Sequence, residues 1–519
     1  MAQFTVIDHM GQGHVLKAGK GRTLAQAIYL HGRFPAPPLC SGLGRCRQCR
    51  VRFVSAPPAP CDAEVLAFSP EELEAGWRLA CRHQPAAGMC LILPEPRLHP
   101  KADTAAGAWD ATAGQPVSLA VDLGTTSLHW QVLAGGRVLA SGTEVNPQMG
   151  AGSEIMSRIA YVQAHPEGGR TLQRLVLDRL RAIVRNAPAR PESCCVAGNS
   201  VMTYIALGKP IDGLAHAPYR LEYMGGEIAT VDGLPDMYVP PLFGPFVGGD
   251  LSAGLAWLCA GGSVSPEYPF MLADMGTNGE FILAAAPDAF MAASVPLGPA
   301  LEGIGLTFGA MAEPGVATAF TLTPSGVTAT VMGGGAPHAI TGTGYLSLVH
   351  ALYKAGLLDF EGRFAATAPA SPLAARLAAT LYEVRGERRF PLPGSMYLAA
   401  RDIEEILKVK AAFNIAFARL LDSVGFSPAD LQGVWLAGAM GEHVSPDDLE
   451  GLGFLPEGMG RLARIAGNSS LAGARLFLER PDMRAWAETA AYALQVIDLV
   501  DEPNFSDEFV ARMGFVYVP

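Results

Sequence analysis

The chain has 519 residues, of which half are hydrophobic and 17% are charged, and its net charge is −11. A single hydrophobic core stops growing at roughly 250–300 residues, so this length predicts several domains. The acidic balance argues against nucleic acid as a partner. The first residues lack the charged and apolar regions of a signal peptide. The sequence contains no uninterrupted run of about 20 apolar residues, so it predicts no membrane span. We therefore expect a soluble, cytoplasmic protein without a membrane partner.

Residues 1–98 have the pattern of a small α+β domain. The predicted elements, in chain order, are strands at Phe4–Asp8 and His14–Lys17, a helix from Thr23 to Leu30, and strands at Arg50–Val54 and Cys90–Leu93. Glycines between the first two strands predict a hairpin, and Thr23 is in the position of a helix N-cap. Strand, strand, helix, loop, strand is the element order of a β-grasp ferredoxin.

Four cysteines mark a cofactor-binding loop in this domain. Cys40, Cys46 and Cys49 lie within ten residues of one another, and Cys81 follows about thirty residues later. Three close thiolate ligands and one distant one is the [2Fe–2S] ferredoxin arrangement. A zinc site normally has two Cys or His pairs, so one CxxC makes zinc the weaker interpretation. Cys61 is an alternative fourth ligand, but Cys81 is preferred because the preceding residues resemble the ferredoxin RLAC segment.

Residues 99–116 separate this domain from the rest of the chain. They are rich in Ala, Gly, Thr and Pro and show no periodicity, which predicts a flexible linker on which the first domain moves. From Val117 onwards strands and helices alternate, as expected for an α/β domain.

Two similar loops follow apolar strands in this second part. They contain Asp122, Gly124, Thr125 and Thr126 in the first copy, and Asp274, Gly276, Thr277 and Asn278 in the second. In each copy a carboxylate ends the strand, a glycine allows a tight turn, and hydroxyl and N–H groups can face a phosphate. The aspartates are expected to hold Mg²⁺ through water and to orient a nucleophile. No GxxxxGK[ST] motif is present, so these loops are not a P-loop.

The paired loops resemble the phosphate-1 and phosphate-2 loops of the actin/Hsp70/sugar-kinase (ASKHA) superfamily, whose two lobes close on ATP. The resemblance implies a two-lobed α/β actin-like, ribonuclease H-like ATPase domain. Its expected parts are lobe I over 117–265, lobe II over 266–466, and a segment 467–519 that returns to lobe I. A further stretch, Gly438, Ala439, Met440 and Gly441, resembles the adenosine motif, with a tight turn before a helix as the alternative. Stretches 197–202 and 467–474 resemble the connecting motifs between lobes, or they are plain helix packing.

A ferredoxin unit followed by an ASKHA unit resembles the RACo-like reductive activators of corrinoid proteins over nearly the whole chain. Additional matching stretches contain Glu154, Asp250 and Glu302, which become unranked candidates for positioning the attacking water. The resemblance implies that ATP drives an electron from the [2Fe–2S] cluster to Co(II) of a corrinoid protein in a methyltransferase system. An upstream low-potential donor is implied as well, and a homodimer is expected.

The resemblance also implies a middle domain of several tens of residues between cluster domain and ATPase, and the short linker predicts that this chain lacks it. Two other functions stay open at this point. One is an electron carrier whose nucleotide site is vestigial, and the other is a small-molecule kinase with a redox-sensing cluster. Failure to bind ATP would favour the electron carrier, and phosphorylation of a small molecule without a redox partner would favour the kinase.

Overall fold

The computed structural model describes residues 1–96, 114–262, 264–324, 326–365, 371–438, 444–499 and 504–519, together with the main chain of 101–104. The described chain forms two compact units. The first unit comprises Met1–Ala253 and Gly473–Ala485, and the second comprises Gly254–Ala472 and Trp486–Pro519. Among the described residues, no helix is both long and apolar enough to cross a membrane.

The N-terminal part of the first unit is a five-stranded sheet with three short helices. Its strands are β1 (Ala2–Ile7), β2 (Gly13–Ala18), β3 (Arg50–Phe53), β4 (Trp77–Leu79) and β5 (Cys90–Ile92), and its helices are α1 (Leu24–Tyr29), α2 (Asp62–Ala67) and α3 (Pro70–Glu74). The strand order is β2-β1-β5-β3-β4. Thr23 caps α1 in a capping box with Gln26, which satisfies donors that the first helical turn leaves open. The predicted β-grasp order is confirmed.

The rest of the first unit is built on a seven-stranded sheet of order β11-β12-β10-β7-β8-β9-β6. Its strands are β6 (Lys101–Thr104), β7 (Val117–Leu123), β8 (Ser127–Ala134), β9 (Arg137–Val145), β10 (Ser193–Gly198), β11 (Glu227–Ala229) and β12 (Asp236–Val239). Its helices are α4 (Ile155–Ala164), α5 (Gly168–Asn186), α6 (Ser200–Leu207) and α7 (Asp212–Ala215). Strands β7, β8 and β9 are antiparallel neighbours, and β10 and β12 extend the sheet in parallel.

The second unit repeats this plan in a six-stranded sheet of order β23-β22-β13-β14-β15-β24, beside two three-stranded sheets. Its strands are β13 (Phe270–Met275), β14 (Asn278–Ala286), β15 (Ala289–Pro296), β16 (Val316–Thr323), β17 (Gly326–Val331), β18 (Ala339–Ile340), β19 (Tyr382–Val384), β20 (Glu387–Pro391), β21 (Tyr397–Ala399), β22 (Gly433–Ala437), β23 (Ala463–Gly467) and β24 (Leu494–Ile497). Its helices are α9 (Gly342–Lys354), α10 (Pro372–Ala378), α11 (Ala400–Ser423), α12 (Pro446–Gly451) and α15 (Phe505–Ala511), while α8 (Gly249–Cys259), α13 (Ser469–Glu479) and α14 (Asp482–Ala493) contain the unit boundaries.

Both large sheets therefore have three antiparallel strands followed by parallel ones, as the ribonuclease H-like resemblance implied. Strand β13 pairs with β14 antiparallel and with β22 in parallel, just as β7 pairs with β8 and β10. In both units the Asp-containing loop joins the first two antiparallel strands. The duplication seen in the sequence is a duplication of this sheet.

The predicted linker differs from the structure in two respects. Residues 101–104 form strand β6, which pairs antiparallel with β9, whereas 99–100 and 105–113 lie outside the described residues. The first domain is not separate either, because Met149 is buried in the same core as Phe4 and Tyr29. The first domain and the sheet after it thus belong to one compact unit.

The C-terminal segment also divides differently from the prediction of a return to lobe I over 467–519. Only Gly473–Ala485 belongs to the first unit. The later residues join the second unit, since β24 adds to β15 in parallel. Beyond it, Arg419 on α11 pairs with Glu508 on α15.

Candidate cluster and nucleotide sites

The four predicted cysteine ligands surround one cavity in the first unit. Cys40, Cys46 and Cys49 lie on the loop between α1 and β3, and Cys81 lies in a short 3-10 helix after β4. All four line the cavity. Their thiols form two hydrogen-bonded pairs, Cys40 with Cys46 and Cys49 with Cys81.

The main chain of the loop is shaped to surround a group held by these sulfurs. Ser41, Gly42, Gly44 and Arg47 all have positive φ angles, between 48° and 86°, a left-handed conformation that turns N–H groups inward. The pKa of Cys40 is lowered to about 5 by the hydrogen bond from the Cys46 thiol and by N–H groups of the loop. The hydrogen bond with Cys49 lowers the pKa of Cys81 as well, whereas these two bonds raise the pKa values of Cys46 and Cys49. Each pair therefore has one thiol that ionises more readily to the thiolate, the form that binds metal.

This donor set fits a [2Fe–2S] cluster. Such a cluster needs two thiolates for each of two irons, and the two thiol pairs supply them.

The two candidates for the fourth ligand, Cys81 and Cys61, differ in their position relative to the cavity. Cys81 lines it together with the other three cysteines. Cys61 instead stands at the N-cap of α2, where its N–H donates to Oε2 of Glu64 at 2.9 Å. The structure thus places Cys81, rather than Cys61, beside the other three thiols.

Sequence reasoning missed Glu64, a buried carboxylate that supports the turn carrying Cys81. Its Oε1 accepts from the N–H of Leu79 at 2.6 Å and contacts Nε2 of His83 at 2.8 Å. Burial raises its pKa, but the N–H groups and His83 outweigh this and hold the pKa below its usual value. The capping-box signature has Ser, Thr, Asp or Asn at the cap, and Cys61 stands there instead, so the sequence carried no clear signal for this role.

The first phosphate loop follows β7 in the first unit. Gly124 fits where a side chain would not, because an added Cβ would lie 2.8 Å from the main-chain oxygen of Ser127. Thr125 and Thr126 are buried. The Oγ1 of Thr125 accepts a hydrogen bond from Nδ2 of Asn199 at 2.8 Å. This loop is therefore ordered by the residues around it.

Two carboxylates stand together beside this loop. Burial, with the negative charge of Asp122 second, raises the pKa of Asp250 to about 7. Repulsion between two acids is relieved by a cation between them, and Mg²⁺ binds through one or two carboxylates and the phosphates of its nucleotide. The pair therefore suits Mg²⁺, whereas the sequence assigned this ion to Asp122 and Asp274 and made Asp250 a candidate for positioning water.

Glu154 lies elsewhere in the first unit. It occupies the N-cap position of α4, and burial raises the pKa of its carboxyl. The residue before it, Ser153, contacts Ser41 of the cluster loop. The role of Glu154 as a catalytic carboxylate stays a prediction.

The second phosphate loop lies in the second unit, after β13. Oγ1 of Thr277 donates to Oε1 of Glu302 at 2.9 Å. The N–H of Gly276 donates to the main-chain oxygen of Asn278 at 3.0 Å. Gly438 approaches this loop closely, since an added Cβ would lie 2.5 Å from Oδ1 of Asp274. The structure thus brings five of the predicted residues together here with Gly438.

The remaining adenosine-motif residues, Ala439, Met440 and Gly441, lie outside the described residues. The connecting motifs show close helix packing. An added Cβ at Gly473 would lie 2.0 Å from the main-chain oxygen of Ala253. Small residues are needed there for packing, whatever further role they have.

Comparison with protein families identifies three consecutive matches. Residues 7–86 match a 2Fe-2S iron-sulfur cluster binding domain, residues 117–258 match the RACo middle region, and residues 269–517 match the C-terminal domain of RACo, the ASKHA domain.

Similar proteins extend these matches. The "Corrinoid activation enzyme RamQ" of Eubacterium limosum is 25% identical over 428 residues, which cover 76% of this chain and 70% of that protein. The "[Co(II) methylated amine-specific corrinoid protein] reductase" of Methanosarcina barkeri is 27% identical over 268 residues, covering 47% and 45%. The solved structure of a "Reductive activator for corrinoid,iron-sulfur protein" superposes over 98% of each chain with a TM-score of 0.69 and 21% identity, which shows a shared fold.

One expectation is wrong in the light of these matches. The family's middle region is present as residues 117–258, and the superposition spans nearly all of both chains. The segment expected to be ATPase lobe I is the middle region itself, and the ASKHA match begins at residue 269. The first phosphate loop lies in that middle region.

Proposed function

We propose that this chain, which belongs to the RACo-like family, is an ATP-dependent reductive activator that passes an electron from a [2Fe–2S] cluster to the Co(II) of a corrinoid protein. The observation that carries the proposal is the presence, in one chain, of a four-thiol cavity and two Asp-x-Gly-Thr loops on duplicated sheets. The first supports one-electron chemistry, and the second supports ATP binding. The names of the two curated relatives, a corrinoid activation enzyme and a Co(II) corrinoid protein reductase, support the acceptor.

The residues divide the work as follows. Cys40, Cys46, Cys49 and Cys81 would hold the cluster, which would supply one-electron chemistry. Asp122 and Asp250 would hold Mg²⁺ beside the hydroxyls of the first loop. Asp274 and Glu302 orient water, and Thr277 with the N–H groups of its loop binds phosphate.

ATP is needed because the electron moves to a more reducing centre. Plant-type [2Fe–2S] centres lie near −400 mV, which is not reducing enough for Co(II) in a resting corrinoid protein. A nucleotide that binds one conformation of the complex better than another shifts the equilibrium by the difference in its binding energy. In the balanced reaction, one electron from an external low-potential donor converts Co(II) to Co(I), and ATP and water become ADP and phosphate.

The test uses the full chain loaded with iron and sulfide under argon, and a recombinant corrinoid protein reconstituted with hydroxocobalamin. Ti(III) citrate is the donor, and Co(I) is followed by its absorbance. We expect Co(I) only when donor, protein and MgATP are all present. Equal rates without nucleotide would favour an electron carrier with a vestigial site. ATP consumption with phosphorylation of a small molecule would favour a kinase.

The acceptor's identity, the donor and a homodimer are further parts of the proposal. A panel of corrinoid proteins from different methyltransferase systems, tested in the same assay, identifies the acceptor. Sedimentation of the loaded protein measures its oligomeric state. A cytoplasmic location is proposed because a thiolate-ligated cluster is assembled in a reducing compartment.

A further inference from the structure

A buried polar network connects the first phosphate loop to the cluster loop within the first unit. We propose that Arg158 is a positioning residue in this network and couples nucleotide binding at the Asp122 loop to the state of the cluster site. The inference rests on the proposed function, since it concerns how the two sites of that function communicate.

Arg158 is the central member of the network. It lies on α4 and has no exposed surface. Its Nη2 donates to the main-chain oxygen of Thr125, its Nε to that of Gly152 at 3.1 Å, and its Nη1 to Oε1 of Gln148 at 3.0 Å. A guanidinium presents its donors in a rigid planar fork. One side chain therefore fixes the phosphate loop relative to residues 148 and 152.

Those two residues belong to a bridging segment, residues 146–153, which contacts the loop at a second point. Nδ2 of Asn146 donates to the main-chain oxygen of Gly124 at 2.8 Å. The N–H of Asn146 donates to the main-chain oxygen of Thr126, also at 2.8 Å. With the bond from Arg158, the carbonyls of three consecutive loop residues are held by this network.

The other side of the bridging segment contacts the cluster loop. The N–H of Ser153 donates to Oγ of Ser41 at 2.9 Å, and the two hydroxyls also lie 2.9 Å apart. Ser41 directly follows Cys40 and has a φ of 48°. Residues 149–152 line the cavity that the four cysteines share. A displacement of the bridging segment therefore changes the surroundings of the sulfurs.

The bridging segment is closely packed, so a displacement at the phosphate loop is passed on to the cluster loop. Gly152 has a φ of 141°, and an added Cβ would lie 2.3 Å from Cβ of Ser157. Tightly packed groups transmit strain instead of absorbing it. Hydrogen bonds and solvent exposure around the sulfurs set the potential of an iron–sulfur cluster. We therefore expect nucleotide binding to change the cluster's potential.

Thermodynamic linkage gives a direct measurement. If nucleotide changes the potential, then reduction of the cluster changes nucleotide affinity by the same factor. Affinity for the non-hydrolysable analogue AMPPNP with Mg²⁺ is measured by calorimetry on the loaded protein, oxidised and dithionite-reduced. We expect the two dissociation constants to differ by about fivefold or more. For one electron, each tenfold difference corresponds to a shift of about 59 mV, which a redox titration with and without AMPPNP checks.

Two variants test the route. Ser41→Ala removes the hydroxyl that both groups of Ser153 contact, and it should bring the ratio of dissociation constants close to one while the oxidised protein keeps its affinity. Arg158→Lys keeps the charge but loses the planar fork of donors, and it should also bring the ratio of dissociation constants close to one. Ser118→Ala, at the start of β7, is the matched control and should keep the wild-type ratio. Cluster content and circular dichroism check folding, and Ser41→Ala decides the matter if Arg158→Lys does not fold.

The inference is overturned if the wild-type ratio is close to one, or if Ser41→Ala keeps the wild-type ratio. Either result can occur while the protein still reduces Co(II) with ATP, in which case the proposed function stands. Conversely, a redox-dependent affinity without any Co(II) reduction would support the coupling and contradict the proposed function.

Discussion

The two phosphate loops have the same motif but different surroundings. In the first unit, buried donors from three separate elements hold the main chain and hydroxyl of Thr125 and its neighbours. In the second unit, Thr277 is held by Glu302 and by the N–H of Gly298, which belong to one short turn. The first loop is part of a network that reaches the cluster loop, whereas the turn that contacts Thr277 lies within the second unit.

Two copies of one sequence motif therefore do not imply that both loops have the same role in the protein. Both loops can bind a phosphate through N–H and hydroxyl groups. From the first loop, contacts continue through Arg158 to Gly152, which lines the thiol cavity. Substitutions in the first loop should therefore change the properties of the cluster, whereas substitutions in the second loop should change nucleotide binding and hydrolysis.

The largest expected effect comes from a substitution that removes one ligand of the cluster. Cys81→Ser should lose the cluster, because a hydroxyl does not replace a thiolate of the Cys49 pair. Iron analysis should find close to two irons per chain in the wild type, far less in Cys81→Ser, and a wild-type amount in Cys61→Ser. The opposite pattern would move the fourth ligand to Cys61.

The next effect separates the nucleotide loops from the cluster. Asp122→Asn and Asp274→Asn each remove a carboxylate charge while keeping the shape of the side chain. ATP hydrolysis should fall about 10²-fold or more in both, the size expected when one polar catalytic group is lost. The EPR spectrum of the reduced cluster should persist in both. Asp288→Asn, in the exposed turn before β15, is the control, and wild-type hydrolysis in Asp122→Asn would leave the first loop without a role in ATP chemistry.

Much of the architecture could be predicted because its signals are local. The alternation at Phe4–Asp8, the cap at Thr23 and the apolar strand before Asp122 each depend on neighbouring residues. The cysteine set was equally visible, since its spacing reflects one loop and one returning strand. Strand β6 was missed because Lys101–Thr104 lacks apolar alternation, and only its pairing with β9 defines it.

The coupling network could not be predicted. Asn146, Gln148 and Arg158 are isolated polar residues, and an arginine on an amphipathic helix is usually exposed. Their partners, such as the main-chain oxygen of Thr125, carry no sequence signal. Such long-range contacts depend on how the elements pack, and packing is known only from the structure.

A smaller effect concerns pH. The raised pKa of Asp250 means that the folded, metal-free protein binds more protons than the unfolded chain between about pH 4 and 7. Stability should therefore fall as the pH rises through this window, by at most about 1.4 kcal/mol per pH unit for one group. Thermal melts of the metal-free protein from pH 5 to 8 should show this slope, and Asp250→Asn should flatten it. Mg²⁺ with AMPPNP should also reduce the slope, and parallel curves for wild type and variant would contradict the assignment.

The smallest effect compares the two loops through a matched pair of isosteric changes. Thr125→Val removes the acceptor of Asn199 Nδ2 and leaves a buried donor without it, at a cost of about 1–3 kcal/mol. Thr277→Val removes the corresponding hydroxyl in the second unit, where it contacts Glu302. Because the first loop is connected to the bridging segment, Thr125→Val should shift the EPR g-values of the reduced cluster by a small but measurable amount, and we expect Thr277→Val to leave them unchanged. Equal shifts in both variants would mean that the cluster responds to general loosening of the protein, and no shift in either would mean that the first loop is as local as the second.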